Sequence, residues 1–267
     1  MNELTVNSLA VEEELISVIS NHLSSAGGKR MRPILTLLSS KMFNYSGDNS
    51  IRLATAIEFI HMATLLHDDV VDGSKMRRFV PTANVLWGSR ASILVGDFLF
   101  SQSFKLIVST NAPRALEVLS SASAIIAEGE VSQLSKLQQK SIITIDEYNS
   151  IIKAKTAELF SAACEVGAII AKKEQYSKAL NEFGLYLGMA FQISDDALDY
   201  WSTAETVGKN IGDDFDEGKV TLPLILLYDR LEDQDRSLLD QMLKAESRTK
   251  EDFAWVKGKM KKYKIAI

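Results

Sequence analysis

The sequence predicts an all-helical protein, and three observations lead to that prediction. Only 4 prolines and 14 glycines interrupt the 267 residues, and they cluster between long apolar-periodic stretches. Those stretches contain little of the alternation between polar and apolar residues that is typical of strands. No internal repeat, low-complexity tract or Pro/Ser-rich linker divides the chain, so we expect a single domain over residues 1–267.

The helices are expected over one buried segment and four further stretches. Nearly every position of residues 51–66 is apolar, which is typical of a helix buried on all sides. The further stretches are residues 82–109, 112–138, 145–172 and 175–201. Thr144 with Glu147, and Thr249 with Asp252, match the capping boxes that begin helices.

Charge and cysteine content exclude several classes of protein. The net charge of −5 argues against a nucleic-acid-binding protein that relies on a positive field. Cys164 is the only cysteine, which excludes an intrachain disulfide and a thiolate metal cluster and fits a reducing cytosol. The first residues lack the pattern of a secretory signal. Because no apolar run reaches about 18 residues, we expect a cytoplasmic protein without a transmembrane segment.

Three carboxylates follow the buried segment 51–66. They are Asp68, Asp69 and Asp72, and on a helix Asp68 and Asp72 project from one face, one turn apart. Oxygen ligands of this kind suit Mg²⁺, which typically uses one or two carboxylates together with substrate phosphates. A solvated acidic helix end is the alternative interpretation.

A second cluster repeats this spacing with Asp195, Asp196 and Asp199 after another mostly apolar stretch. The repetition makes coincidence a poor explanation. Two clusters at the ends of core helices are expected to face each other across a cavity and to bind metal ions that bridge one diphosphate. Metal neutralises the charge that develops on a departing diphosphate and makes it a better leaving group.

Basic residues accompany both clusters. The glycine turn 27–33 opens a helix with cations at its start, which an anionic ligand explains better than helix stability does; a solvated basic turn is the alternative. Arg77 and Arg78 follow the first cluster and suit a directly bound diphosphate. Lys155 and Thr156 place a cation and a hydroxyl in an apolar stretch, where a surface stripe is the alternative. The glycine-punctuated loop 208–219 is predicted to be a mobile lid, with a charged surface loop as the alternative.

Taken together, these stretches closely resemble the trans-type isoprenyl diphosphate synthases, particularly the octaprenyl-like long-chain branch. The resemblance covers roughly residues 10–230 and rests on an ordered set of motifs. The motifs are GGKRMRP (27–33), IEFIHMATLLHDDVVDGSKMRR (57–78), EGEVSQL (128–134), KTAELF (155–160), FQISDDALD (191–199) and GKNIGDDFDEGKVTLPLI (208–225).

The resemblance implies the isoprenoid synthase fold, a single-domain helical bundle around a deep central cavity. It also implies a homodimer, three Mg²⁺ ions between the aspartate clusters, and a transient membrane contact when the product leaves. The implied reaction ionises an allylic diphosphate, whose cation is attacked by the double bond of isopentenyl diphosphate before a proton is lost. The departing diphosphate takes that proton, so no protein nucleophile or general base is expected.

The resemblance also assigns a role to each matching residue. Asp68, Asp72 and Asp195 match direct metal ligands, and Asp69, Asp196 and Asp199 match near ligands or their supports. The allylic diphosphate would be held by Arg77, Lys155, Gln192, Lys209 and Lys219, with Thr156 orienting the allylic group. Isopentenyl diphosphate would be bound by Lys29, Arg32, His61 and Arg78.

The chain departs from the family pattern at two places. Asp216 stands where the lid motif commonly has arginine, which puts the lid charge in question. Family members also usually continue through further C-terminal helices, so we expect a domain that is short at its C-terminus.

Product length is predicted from Ala63 and Thr64, which precede Asp68 by five and four residues. Helical rise places Thr64 about 6 Å below the metal-binding turn. Small side chains there would let an apolar tail continue beside Ile57 and Ile60, which predicts a product near C40. Close packing against another helix is the alternative explanation. Other functions left open are a farnesyl or geranylgeranyl diphosphate synthase, a non-catalytic subunit of a heteromeric synthase, and a terpene cyclase.

Overall fold

A computed structural model describes residues 12–201 and 211–265, together with Leu4 and Leu9, and confirms the all-helical prediction. The α-helices in chain order are α1 (Glu14–Ser25), α2 (Met31–Lys41), α3 (Asn49–Val71), α4 (Ala83–Trp87), α5 (Ser89–Val108), α6 (Pro113–Gln139), α7 (Ile145–Ile152), α8 (Glu158–Ile170), α9 (Ser177–Trp201), α10 (Asp213–Asp216), α11 (Leu222–Arg230), α12 (Asp233–Lys244) and α13 (Lys250–Lys262). A π-helical segment, Lys153–Ala157, joins α7 to α8, and a 3₁₀ turn, Glu174–Tyr176, precedes α9.

Two of the expected helices are interrupted. The stretch 82–109 divides at Gly88, whose φ of 84° lies outside the helical region, so that α4 ends there and α5 begins. The stretch 145–172 contains the π-helical segment. Both capping boxes are present, since the hydroxyls of Thr144 and Thr249 accept hydrogen bonds from the backbone N–H groups three residues later.

A short β-hairpin, which the sequence did not predict, follows the first aspartate cluster. Strand β1 (Met76–Arg77) pairs antiparallel with β2 (Val80–Pro81), and Arg77 lies opposite Val80. Arg78 and Phe79 form the two-residue turn with φ of 51° and 66°. Positive φ at both central positions matches the twist of a tight hairpin but is unfavourable for residues with a side chain.

The first of two compact units comprises Met1–Ala124 and Glu158–Leu187. Within it α3 packs against α2 and α5, and α2 packs against α8. The burial of α3 is as predicted, since Ile57, Phe59 and Ile60 have no exposed surface. This packing fixes the direction in which the end of α3 presents the first aspartate cluster.

The second unit comprises Ile125–Ala157 and Gly188–Ile267. Its main core joins Phe215 and Leu227 to Leu239 and Val256. A smaller apolar cluster holds α7 against α11 through residues that include Tyr148. This unit carries the second aspartate cluster, and the single domain stays a prediction.

Helix α5 differs from one sequence expectation. It is 20 residues long and reaches the length and composition of a membrane-crossing helix, which no stretch was expected to reach. Core helices of water-soluble proteins meet the same criterion, and α5 packs its buried residues Val95 and Leu99 into the core of the first unit.

Candidate active site

The first aspartate cluster lies at the C-terminal end of α3, where Asp69 is held by an arginine. Asp69 is 2% exposed. The Arg77 guanidinium donates to Asp69 Oδ1 from Nη2 at 2.7 Å and from Nε at 3.1 Å. The Asn84 side chain donates to the Asp69 backbone carbonyl at 3.0 Å. Both the carboxylate and the backbone of Asp69 are therefore fixed from within the unit.

The same arginine lies in the field of all three carboxylates. Burial by itself lowers the pKa of Arg77, but the hydrogen bond and charge of Asp69, with the charges of Asp68 and Asp72, raise that pKa above its ordinary value. The structure therefore brings the three aspartates of the first cluster together around one cation. Asp68 and Asp72 are partly exposed, whereas Asp69 is buried.

A cluster of arginines surrounds His61, one of the residues expected to bind isopentenyl diphosphate. Arg32 Nη1 lies 3.3 Å from His61 Nε2. Burial lowers the pKa of His61 well below its ordinary value, and the charges of Arg32, Arg77 and Arg78 lower it further. His61 is therefore neutral and accepts from Arg32. The Arg32 guanidinium also lies 4.5 Å from the centre of the Phe160 ring, and burial lowers its pKa to about 10.

The hairpin turn carries Arg78 to the glycine turn. A Cβ atom on Gly28 would lie 2.8 Å from Arg78 Nη1, so only glycine leaves the guanidinium its present place. Lys29 follows in the same turn and is exposed. Arg30 then caps α2 in the left-handed region with φ of 45°. Two turns that contain positive φ angles, the glycine turn and the hairpin turn, thus carry Lys29, Arg30 and Arg78.

The second aspartate cluster is held by neutral donors. Tyr148 Oη donates to Asp196 Oδ2 at 2.6 Å, and Gln192 Nε2 donates to Asp196 Oδ1 at 2.7 Å. The Thr156 hydroxyl donates to Gln192 Oε1 at 2.8 Å. Thr156, Gln192, Asp196 and Tyr148 therefore form one continuous chain of hydrogen bonds.

Burial is the main reason why the pKa of Asp196 is raised. Burial and the charge of Asp214 raise the pKa of Asp196 to about 7, although the hydrogen bonds from Tyr148 and Gln192 oppose that shift. The neighbouring charge of Asp195 raises it as well. Asp199 is buried and accepts a hydrogen bond from the Asp214 backbone N–H at 3.2 Å, so it ties the start of α10 to the cluster.

Lys155 lies in the π-helical segment and pairs with Glu130 of α6. The distance between Lys155 Nζ and Glu130 Oε2 is 2.7 Å. Segments of this kind are rare and occur frequently at functional sites. Close packing of the two elements depends on Gly129, because a Cβ atom there would lie 2.8 Å from Ala154 Cβ.

A cavity of about 290 Å³ opens beside the second cluster. Its wall includes Lys155, Thr156, Gln192, Asp196 and Lys219. Lys219 Nζ lies 2.6 Å from the carboxylate of Glu217. Three of the residues expected to hold the allylic diphosphate, and Thr156, which is expected to orient the allylic group, therefore share one cavity wall with a carboxylate of the second cluster. Lys209 lies outside the described residues.

The lid segment is held by an arginine for which the sequence analysis had no role. Arg248 donates to the carbonyl of Asp216 at 3.2 Å and to that of Leu243 at 3.0 Å. Gly218 has φ of 82°, and a Cβ atom there would lie 2.7 Å from Arg248 Nη2. Asp216, which stands at the position that commonly carries arginine, is exposed, and the partial loss of solvent around its carboxyl group raises its pKa.

The carboxylates present fit magnesium rather than a metal held by protein alone. Within the described residues, no group of three or more His, Cys, Asp or Glu side chains is arranged to hold a metal ion. Mg²⁺ keeps several ligands from water or substrate phosphate and needs few from protein. Asp69 accepts hydrogen bonds from Arg77, and Asp196 accepts them from Tyr148 and Gln192. These two carboxylates therefore suit a position beside the metal ligands better than direct coordination of the metal.

The residues expected to set product length have different surroundings. Ala63 is 2% exposed and packs in an apolar cluster that includes Phe59 of α3 and Leu99 of α5. Thr64 is partly exposed, and its hydroxyl donates to the His61 carbonyl at 2.8 Å. An enlarged side chain is therefore accommodated more readily at position 64 than at position 63.

Sequence reasoning missed several residues of these sites. Glu130 stands in one of the quoted motifs, and its acidic character there was a usable signal. Tyr148 carried no such signal, because nothing local distinguishes it from an ordinary core aromatic. Arg30 likewise stands in a quoted motif, 27–33. Arg248 was hidden for a different reason, since only the folded chain brings it to Asp216 and Leu243.

Comparisons with known proteins give matches over most of the chain. The profile of the Polyprenyl synthetase family matches residues 13–260. The octaprenyl diphosphate synthase of Escherichia coli is 45% identical over 237 residues, covering 84% of this chain and 73% of that protein. The all-trans-nonaprenyl-diphosphate synthase (geranyl-diphosphate specific) of Rhodobacter capsulatus is 44% identical over 240 residues, covering 90% and 74%. A crystal structure of polyprenyl synthase from Caulobacter crescentus CB15, complexed with calcium and isoprenyl diphosphate, has a TM-score of 0.94 and 44% identity, covering 99% and 80%.

Proposed function

The chain belongs to the polyprenyl synthetase family and is a trans-polyprenyl diphosphate synthase, and from this premise we propose that it elongates an allylic diphosphate with isopentenyl diphosphate to a long-chain product near C40. The supporting observation is the pair of small residues Ala63 and Thr64 before Asp68. The identity of 44–45% to octaprenyl and nonaprenyl synthases points in the same direction.

The family is typically metal-dependent, and we propose that the two aspartate clusters together hold three Mg²⁺ ions. Asp68, Asp72 and Asp195 would be direct ligands, as the match to the family motifs implies, and Asp69, Asp196 and Asp199, which accept hydrogen bonds within their own units, would support them. Bound magnesium supplies charge neutralisation for a departing diphosphate. Asp69, Asp196 and Asp199 would fix the backbone and neighbours of the ligands.

The basic residues divide between the two substrates. Lys29, Arg32, His61 and Arg78 would hold isopentenyl diphosphate, since Arg32 contacts His61 and the Arg78 guanidinium lies against Gly28, next to Lys29. Neutral His61 can donate only one ring N–H, so the charge comes from the arginines. Lys155, Lys219 and Lys209 would hold the allylic diphosphate with Arg77, and the hydrogen-bond chain from Thr156 through Gln192 would orient it.

Product length tests this proposal directly. The full chain is incubated with Mg²⁺, isopentenyl diphosphate and farnesyl diphosphate, and the products are separated by chain length. Wild type is expected to give a product near C40. Thr64→Phe is expected to shorten it, because an aromatic ring would block growth about 6 Å from the metal-binding turn.

Two variants control for packing. Thr64→Val keeps the size of the side chain and removes the hydroxyl, and should leave the product length unchanged. Ala63→Phe inserts a ring into the buried cluster beside Leu99, which typically destabilises a core by about 1–3 kcal/mol, so its thermal unfolding is measured beside its product. A wild-type product of C15 or C20, or a Thr64→Phe variant with the wild-type product, would contradict the proposed tunnel.

The same incubation separates the other functions. A non-catalytic subunit of a heteromeric synthase would give no elongation when purified alone, and a terpene cyclase would release diphosphate without using isopentenyl diphosphate. The homodimer and the cytoplasmic location stay predictions.

A further inference from the structure

Tyr148 on α7 is a core aromatic residue whose hydroxyl group makes a specific contact. Tyr148 is 2% exposed and packs with Ile152 and Ile225 in the small apolar cluster that joins α7 to α11. Its hydroxyl donates to Asp196 Oδ2 at 2.6 Å. Phenylalanine would fill the same place in the cluster without a polar group that needs a partner. The hydroxyl therefore serves Asp196 rather than the packing of α7.

Both oxygens of the Asp196 carboxylate are held by neutral donors. Tyr148 donates to Oδ2, and Gln192 Nε2 donates to Oδ1 at 2.7 Å. Gln192 precedes Asp196 by one turn of α9, whereas Tyr148 comes from α7. The carboxylate cannot rotate without breaking one of these two bonds, and a buried polar group that loses its partner is costly. Donors from two elements thus give the carboxylate one orientation.

The restraint continues from Asp196 to Gln192 and Thr156. The Thr156 hydroxyl donates to Gln192 Oε1 at 2.8 Å. Turning the Gln192 amide over would place its oxygen against the Asp196 carboxylate, an acceptor against an acceptor. The orientation of the amide, and with it the direction in which the Thr156 hydroxyl donates, therefore depends on a fixed Asp196.

This chain of hydrogen bonds lies along the cavity beside the second cluster. All four of its residues line that cavity, together with Lys155 and Lys219. Asp195 precedes Asp196 in the same turn of α9, and the bond from Tyr148 ties that turn to α7. Without the bond, the Asp196 carboxylate would be free to turn and the turn that carries Asp195 would lose its link to α7.

We propose that Tyr148 is a positioning residue of the second aspartate cluster. It fixes the Asp196 carboxylate directly, and through Gln192 it fixes the Thr156 hydroxyl, so metal affinity and allylic binding both depend on it. The inference rests on the proposed function, because the metal and the allylic diphosphate are those proposed for this cavity. Groups that orient the surroundings of a metal ion in this way typically change metal affinity by about 10–100-fold.

Tyr148→Phe keeps the ring and removes the hydroxyl. We expect affinity for metal to fall by about tenfold, because Asp196 loses its donor on α7. The KM for farnesyl diphosphate should rise, since the orientation of Gln192 and Thr156 is no longer fixed. The KM for isopentenyl diphosphate should keep its wild-type value, because the residues proposed to hold that substrate belong to the other unit.

The test is a titration of the full chain with Mn²⁺, which accepts the same oxygen ligands as Mg²⁺, in the presence of inorganic diphosphate. Free Mn²⁺ is counted by electron paramagnetic resonance, which does not depend on turnover. Because every variant is titrated at one diphosphate concentration, binding of Mn²⁺ to diphosphate itself cancels. Tyr228→Phe is the matched control, since Tyr228 Oη donates to Asp240 Oδ2 at 3.2 Å in the same unit and lies outside the described wall of the cavity.

A double-mutant cycle separates positioning from packing. Asp196→Ala removes the acceptor of the Tyr148 hydroxyl, so adding Tyr148→Phe to it should cause no further loss of Mn²⁺ affinity. Losses that add would give Tyr148 a role apart from Asp196 and overturn the inference. All titrations are made below the thermal unfolding transition of the least stable variant, so that a loss of fold is not counted as a loss of affinity.

Weaker Mn²⁺ binding in Tyr148→Phe, with wild-type binding in Tyr228→Phe and a rise in the KM for farnesyl diphosphate alone, supports the inference. Wild-type Mn²⁺ affinity in Tyr148→Phe, or an equal loss in both tyrosine variants, overturns it. Failure of the proposed function has a different result, because Asp195→Ala would then keep the wild-type Mn²⁺ affinity.

Discussion

The two aspartate clusters have the same spacing, yet their central carboxylates are stabilised in opposite ways. In the first cluster, Asp69 is buried against the charged guanidinium of Arg77. In the second, Asp196 is equally buried but receives hydrogen bonds from the neutral groups of Tyr148 and Gln192. An opposite charge stabilises a carboxylate at any pH at which both are ionised, whereas neutral donors offset burial only in part.

This difference teaches that one motif serves in two electrostatic settings. The first cluster balances part of its own charge within the protein. The second leaves Asp196 with a pKa of about 7, and the charges of Asp214 and Asp195 contribute to that value. A bound cation would therefore stabilise the carboxylates of the second cluster more than those of the first, although the two clusters have the same spacing.

The largest effect is expected from removing one ligand of each cluster. Asp68→Ala and Asp195→Ala should each lower the rate of elongation by at least about 100-fold, because each loses a proposed magnesium contact while the fold is retained. Steady-state rates at saturating Mg²⁺ measure the loss, and Asp233→Ala, at an exposed residue of α12, is the control. Near-normal turnover in either variant would show that its cluster does not bind the catalytic metal.

A smaller effect, on stability, is expected at Arg77. Arg77→Ala leaves the buried Asp69 carboxylate without its charged partner, which typically costs about 3–5 kcal/mol. Chemical unfolding in the presence of a chelator measures this, with Arg52→Ala as the control, since Arg52 pairs with Ser109 at the surface. Tyr148→Phe removes one neutral donor from Asp196 and should cost less, about 1–3 kcal/mol. The comparison fails if the order of these two losses is reversed.

The third expected effect is a pH dependence at the second cluster. The pKa of Asp196 is raised from 3.8 to about 7 in the folded protein. Between these two pH values the unfolded chain binds fewer protons than the folded one, so the contribution of Asp196 to the unfolding free energy falls as the pH rises. The difference in unfolding free energy between wild type and Asp196→Asn should therefore change from pH 4 to 7, measured with a chelator present. Tyr148→Phe should extend the change to higher pH, because the hydrogen bond it removes favours the carboxylate. A difference that is constant across this range would contradict the raised pKa.

Helical content and the family were predictable because the signals for both lie in local sequence. Apolar periodicity marked α3 and the long helices, and the capping boxes at Thr144 and Thr249 marked two helix starts correctly. The ordered motifs led to the family, which the comparisons confirm. Each of these signals is contained in a few neighbouring residues.

Partners contributed by distant segments were not predictable in the same way. Tyr148 reaches Asp196 over 48 positions of sequence, and Arg248 reaches Asp216 over 32. The hairpin was missed because its turn uses Arg78 and Phe79 at positive φ, where sequence rules expect glycine or asparagine. Such contacts depend on packing that decides against local preference.

The π-helical segment Lys153–Ala157 also carries a consequence for how this stretch tolerates change. A π-turn amounts to one additional residue in an α-helix, and one residue of helix corresponds to a rotation of about 100°. Side chains of α7 and α8 therefore follow two different phases, and a single helical wheel drawn from Ile145 to Ile170 assigns one half to the wrong side. Deleting one residue of this segment would restore a uniform phase and turn Thr156 away from Gln192 while leaving composition almost untouched. In this part of the chain, the number of residues specifies the site as much as their identity does.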